Sequence, residues 1–283
     1  MSFGPNPWHQ TSWDARAAAN FMCGGAGAGL IVFTALSGAR GATLTALLGA
    51  GLALVGVGLL CVFLELGRQL RSLNVILNPR TSWMSREAIA AKLLLATGLA
   101  AMLGLLPNAW PAAVVALAFV YCQGRMLQAA KGIPAWREPL LVPLVVVSGL
   151  TEGAGMFLLA APVHGHLPGW LVVAFEVLVV ARFVLWQVYR RRVAGVVSPA
   201  AARALGQAGN VLRLVGTLVP IVLAVAAVVL AGQVPGRWSM LIAALAGLAA
   251  ASAGGWMKFA LVTRAGFNQG FALPHLPVRG QPR

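Results

Sequence analysis

Acidic side chains are scarce in this chain. Six Asp and Glu stand against 21 Lys and Arg, a formal charge of +15, and charged residues fill only 10% of the 283 positions. A soluble domain carries roughly 25%, so the polar surface that solubility requires is missing. Cysteine is rarer still. Cys23, Cys61 and Cys122 lie far apart in apolar stretches, which excludes a CxxC metal clip or an iron–sulfur ligand set and leaves three small hydrophobes. Histidine is absent from the apolar runs: His9 precedes the first, His164 and His166 share a loop, and His275 follows the last. A bis-histidine haem between helices is therefore excluded. His164-Gly-His166 reads as a solvated loop pair or, alternatively, as a loop metal site; no metal ligand is assigned. No glycine-rich phosphate loop occurs, so ATP-driven work is not encoded. The polar segment Met1 to Arg16 has no apolar core followed by a small-residue cleavage site, and no signal peptide is expected.

Hydrophobicity is what the chain has. Apolar residues make up 59% of it, gathered into runs of the roughly 20 residues that a membrane helix needs. Eight runs are expected as spans: Ala18–Leu36, Thr43–Leu66, Glu87–Leu106, Trp110–Leu127, Leu140–Ala161, Gly169–Tyr189, Ala208–Ala231 and Trp238–Leu261. The fourth, ending in Tyr121, Gln123 and Arg125, reads as the weakest. The expected fold is an all-α integral membrane protein of eight transmembrane helices in two four-helix bundles (18–136 and 137–261). A polar segment (1–17) precedes them and a tail (262–283) follows. Gly27-Ala-Gly-Leu30 in the first span and Gly153-Ala-Gly-Met156 in the fifth hint at a duplication. Close helix packing alone would also produce them.

The cations sort by side. With eight spans, fifteen of the 21 fall on the face shared by both termini, while only Arg40 and Arg237 fall on the other. Lys92, Arg182, Arg213 and Lys258 lie within spans. This is a positive-inside pattern rather than a nucleic-acid footprint, so both termini and the basic face are expected to be cytoplasmic, in the inner membrane.

The six acids can be weighed singly, because burying one in a membrane is costly. Glu65 ends the second span and Glu87 opens the third. Each reads either as an interfacial partner of Arg68, Arg71 or Arg86 or as a carboxylate that exchanges a proton with a quinone hydroxyl. Glu152 and Glu176, deeper in spans five and six, read as proton relays or as partners of Arg182 or Arg213. Asp14 and Glu138 lie in surface segments. The segment 64–87, which includes the loop 67–87 between spans two and three, places two carboxylates, four arginines and Trp83 at one membrane face, with Thr81 or Ser82, and Ser85, as candidate helix caps.

Glu65-Leu-Gly-Arg68, Asn78-Pro-Arg-Thr-Ser-Trp-Met-Ser-Arg-Glu87, and Arg125 followed by Ile133-Pro-Ala-Trp136 resemble the polytopic anchor of dimethyl sulfoxide reductase. More broadly they resemble the NrfD/PsrC-like quinone-interacting anchors. The segment Lys258 to Pro274 resembles a narrower branch, the membrane subunits of phenylacetyl-CoA:acceptor oxidoreductases. The resemblance implies an anchor without haem or iron–sulfur cluster. Such an anchor exchanges electrons between menaquinone or ubiquinone and a ferredoxin-like iron–sulfur subunit, which serves a molybdopterin catalytic subunit. It further implies that Glu87 matches an acid that helps bind menaquinol. Glu65 stands where the anchor has a histidine, a departure that changes hydrogen-bond geometry and proton affinity. Arg68, Ser82, Trp83, Arg86 and Arg125 complete the expected site. Two other classes stay open: a proton-coupled secondary transporter, and a structural tether without a quinone site.

Overall fold

The computed structural model describes residues 4–67, 69–165, 167–231 and 236–271. Arg68, His166, and the tail from 272 onward, including His275, lie outside the described residues. Eight long helices run through them: α1 (Ala15–Leu36), α2 (Gly41–Glu65), α3 (Trp83–Met102), α4 (Trp110–Ala129), α5 (Leu141–His164), α6 (Gly169–Val193), α7 (Pro199–Leu230) and α8 (Gly236–Thr263). A short 3₁₀ stretch, Gln69–Leu77, lies between α2 and α3. Extended structure among the described residues is limited to one isolated bridge.

Local chemistry sets the ends. The Asp14 carboxylate accepts from the Arg16 N–H and caps α1, and the Arg16 side chain beside it holds the Asp14 carboxyl below its ordinary value. The Ser198 hydroxyl caps α7 by accepting from the Ala201 N–H, and Pro199 occupies the first turn, where its missing N–H costs nothing. Gly165, at φ +68°, terminates α5 in the left-handed conformation that favours glycine.

Seven of the eight helices are long and apolar enough to cross a membrane, and the chain is an all-α multi-pass membrane protein. The exception is α3 and not the fourth helix, which had read as the weakest. It carries Arg86, Glu87 and Lys92 within twenty residues, too many charges for an ordinary span. Yet α3 lies antiparallel along α2: Gly98 packs on Leu52, and Met102 approaches Gly49. The expected span Ala208–Ala231 starts earlier, at Pro199. At 1.5 Å per residue, a helix of 32 residues is roughly 48 Å long, well beyond a hydrocarbon core of about 30 Å.

The two halves pack alike. Within α1–α4, α1 touches α2 and α4, and α3 touches both α2 and α4. Within α5–α8, α5 touches α6 and α8, and α7 touches both α6 and α8. Between halves, α4 meets α5 as α8 meets α1, and α1 crosses α5 at the centre. The two Gly-Ala-Gly segments meet at that crossing. The backbones of Gly29 and Gly153 approach so closely that a methyl group on either would overlap the other helix. Gly155 makes the equivalent approach to Gly247 of α8. Contact between small residues is the packing that a lipid environment rewards.

The described parts of both termini lie together at one end. His9 bridges Phe267, the Gln10 N–H donates to the Gly266 carbonyl at 2.8 Å, and the Asn268 N–H donates to the Trp8 carbonyl at 3.0 Å. The α2–α3, α4–α5 and α6–α7 connections share this end. It carries most of the chain's cations and is called the basic end below.

Candidate functional site

At the basic end, between the start of α1, the end of α2 and the start of α3, two adjoining hollows of about 280 and 440 Å³ share a wall of Asn20, Val62, Leu66, Met84 and Glu87. Trp13 and Glu65 also line the first; Leu59, Phe63 and Val75 also line the second. The lining is otherwise mostly apolar. Phe63 and Leu66 are exposed at the helix surface, which gives the larger hollow a lateral approach.

Glu87 is buried, 5% exposed. Its Oε1 accepts from Asn20 Nδ2 at 3.0 Å, and the backbone carbonyl of Asn20 accepts from Gln123 Nε2 at 3.0 Å. Asn20 opens a five-residue π-turn, Asn20–Gly24, inside α1. Such turns occur often at functional sites. Asn20 Oδ1 and Gln123 Oε1 have no hydrogen-bond partner among the described residues. A buried carboxylate beside an unpartnered carboxamide oxygen is an arrangement that holds an O–H donor.

The residues expected to form one site divide into groups. Glu65 and Glu87 line the same hollow. Ser82 is the N-cap of α3, its hydroxyl accepting from the Ser85 N–H at 3.3 Å. Trp83, Arg86 and Arg125 form a stack outside the hollow. The two guanidinium carbons lie 4.1 and 4.7 Å from the indole centroid, with Tyr121 edge-on at 5.8 Å. Arg68 lies outside the described residues. The pairing of Glu87 with Arg86 does not form: Arg86 donates instead to the carbonyls of Pro79 and Arg80, at 2.7 and 2.8 Å. Arg86 and Glu87 are consecutive, about 100° apart around the helix, so one turns outward and the other inward.

A second buried cluster lies deeper. Lys258 Nζ pairs with Glu152 Oε2 at 2.8 Å and donates to the Phe21 carbonyl at 2.9 Å. Arg182, fully buried, donates to the carbonyls of Ala250 and Gly216, at 2.9 and 2.7 Å. The bonded partner of Glu152 is thus Lys258, where pairing with Arg182 or Arg213 had been one of two readings; Arg182 is near enough to interact with the carboxylate but bonds to carbonyls, while Glu176 is half-buried. Gly216 belongs to a π-turn (Leu214–Leu218) followed by Pro220. Because Pro220 lacks an N–H, the carbonyl four residues before it has no helical donor, and Arg182 supplies one.

Sequence reading did not single out Asn20 or Lys258 as site residues. The available signal was a lone carboxamide or ammonium in an apolar run, which in a membrane needs a partner. No family model matches the chain, and no curated protein matches it.

Proposed function

We propose that the chain is the quinone-reactive anchor subunit of a molybdopterin-dependent oxidoreductase complex. It exchanges electrons and protons between the membrane quinone pool and an iron–sulfur partner. The observation that carries this reading is the hollow at the basic end, where Glu87, Asn20 and Glu65 meet an otherwise largely apolar lining. A quinone has a flat head with oxygens on opposite edges and an apolar tail. The larger hollow falls in the size range of small-molecule sites, about 300–1,000 Å³. Its approach between Phe63 and Leu66 suits a lipid-borne tail, and Glu87 with Asn20 suits a hydroxyl. In oxidation of a quinol, two electrons leave for the iron–sulfur partner and two hydroxyl protons are released in turn to the Glu87 carboxylate, which passes the first on before it takes the second; in the reverse direction its acid form returns both in turn. Asn20 fixes the carboxylate, and Glu65 offers the next acceptor in the adjoining hollow.

The topology that this function needs has independent support. Termini that pair at one end support a reading with an even number of crossings, in which α3 is an eighth span beside the seven apolar helices and the halves are two four-helix bundles. Glu87 is held by Asn20, while Lys92, at the middle of α3, is exposed on its flank, the costly position for a lysine in a span. The excess of cations at the basic end supports reading that end as cytoplasmic, by the positive-inside rule, with the inner membrane as the membrane proposed. Exposed Arg191, Arg192 and Arg203 there attract an acidic iron–sulfur subunit.

The test is Glu87→Gln in the complex, with turnover measured on a short-chain quinol and on a soluble dye. Quinone-coupled turnover falls at least ~10-fold while dye-coupled turnover holds. Undiminished quinone turnover after altering Glu65 and Glu87 together would leave a tether without this site. One observation favours a second reading, a proton-coupled transporter: a buried ion pair and a buried arginine beside interrupted helices are features of transport sites. Solute uptake by the chain alone in proteoliposomes would establish it, and co-purifying redox subunits without uptake would reject it.

A further inference from the structure

At the basic end of α4, a cavity of about 560 Å³ that shares no lining residue with the two hollows is lined by Trp83, Arg125, Gln128, Ala129, Lys131 and Arg137. It holds three cations and no acid. The ion pairs among the described residues use Arg16, Arg192 and Lys258, so none of the three cations has a carboxylate partner there. Glu138, next in sequence, is taken by Arg192 at 3.3 Å. Arg125 Nε is buried and has no hydrogen-bond partner among the described residues. Its guanidinium carbon lies over the Trp83 ring, 4.7 Å from the centroid. Arg137 is held in turn by Gln269, whose carbonyl, with the amide turned oxygen-first, accepts at 2.7 and 3.0 Å.

The surface leading to the cavity has a matching pattern. Val114, Leu117 and Tyr121 of α4 are exposed, at 63%, 40% and 44%, and they continue into Arg125 and Gln128. These five positions follow one another at three- and four-residue spacing, which is one stripe of a helix. The stripe is apolar for two turns and changes to cation and amide where the helix reaches the basic end, and Trp83 sits at the change. An acyl chain lying on the apolar turns brings a headgroup phosphate to the cations.

We propose that this cavity is a binding site for an anionic phospholipid. Its phosphate is held by Arg125 and Lys131, its headgroup rests beside Trp83 and Gln128, and its acyl chain lies along Leu117 and Val114. The site is separate from the hollow assigned to the quinone, and the inference does not rest on that assignment. A free phosphate would satisfy the cations equally; the lipid is the occupant proposed because the apolar turns of α4 run directly into the cation-lined cavity and bring an acyl chain and its phosphate to one place.

The test uses the full chain, delipidated in mild detergent, and native mass spectrometry of lipid retention. Phosphatidylglycerol is titrated against phosphatidylcholine, with inorganic phosphate as competitor. The expected result is selective retention of phosphatidylglycerol, weakened about tenfold by Arg125→Gln, the scale of one lost charged hydrogen bond, and unaffected by millimolar phosphate. Lys131→Gln, an exposed change beyond the end of α4, weakens retention in the same direction and keeps the test open if Arg125→Gln fails to fold. Equal retention of the two lipids, or unchanged retention in Lys131→Gln, overturns the proposal. Displacement by inorganic phosphate overturns the lipid assignment and identifies a site for the free anion.

Discussion

Replacing Lys258 with methionine removes the one ammonium within bonding distance of the Glu152 carboxylate among the described residues. The pair is dry: the two side chains are 1% and 2% exposed, and they meet at 2.8 Å. Glu152 Oε1 already has no hydrogen-bond partner among the described residues, so the variant strips the remaining one from Oε2. The Phe21 carbonyl loses its side-chain donor at the same time and keeps the Gly25 N–H. Breaking one side of a buried ion pair costs about 3–5 kcal/mol, which is roughly two to four decades in the folding equilibrium. Removing both charges with residues of similar volume is far cheaper, often neutral or better. Lys258→Met should therefore be strongly destabilised in reversible unfolding by dodecyl sulfate in mixed micelles. The double variant Glu152→Gln/Lys258→Met should recover most of the loss. The reasoning is refuted if the single variant is as stable as the parent, or if the double variant is no better than the single.

Three further outcomes follow from the same geometry. Asn20→Ala takes away the donor to Glu87 Oε1 at 3.0 Å, so quinone-coupled turnover should fall several-fold while dye-coupled turnover of the complex stays constant; equal losses in both would show a folding defect instead. Gly153→Val forces α1 and α5 apart at their tightest crossing and should cost at least the 1–3 kcal/mol of ordinary overpacking in the same unfolding assay; a parent-like midpoint would deny that the crossing is tight. Trp136→Phe loses the bond from Nε1 to the Leu261 carbonyl at 2.9 Å and leaves that carbonyl with one donor fewer, a loss of about 1 kcal/mol; a stability gain would show that the bond contributes nothing.

The helices were legible because apolar runs longer than eighteen residues have few alternatives. Their charged exceptions were less so. Arg203 and Gln207 made 199–207 read as loop, yet Ala201, Leu205, Ala208 and Leu212 form a buried stripe at helical spacing, so an amphipathic reading would have extended α7. That Glu65 and Glu87 line one hollow was readable from one loop joining their helices. That Trp83 and Arg125 stack outside that hollow was not, because it depends on how α3 and α4 are rotated. The Glu152–Lys258 pair spans 106 residues and two helices, and nothing local in either run specifies it.

The π-turn of α1 explains how both buried carboxylates are served by one short segment. Toward its C-terminus, α1 is pinned to α5 by the crossing of Gly29 and Gly153. Toward its N-terminus it is pinned by Trp13, which stacks on Phe21 at 5.9 Å and on Trp136 at 5.0 Å, and by the pairing of the two termini. A π-turn inserts one residue relative to an α-helix, and one residue is about 100° of rotation. Without that rotation, a helix seated on α5 would carry Asn20 away from Glu87, and a helix seated to serve Glu87 would miss the glycine crossing. The insertion lets both registers hold. It leaves the Asn20 side chain on the carboxylate at the hollow and the carbonyl of the next residue, Phe21, on the ammonium that neutralises the other carboxylate. The site at the basic end and the ion pair in the core are thus joined by a single peptide unit, so a change that straightens this turn disturbs both.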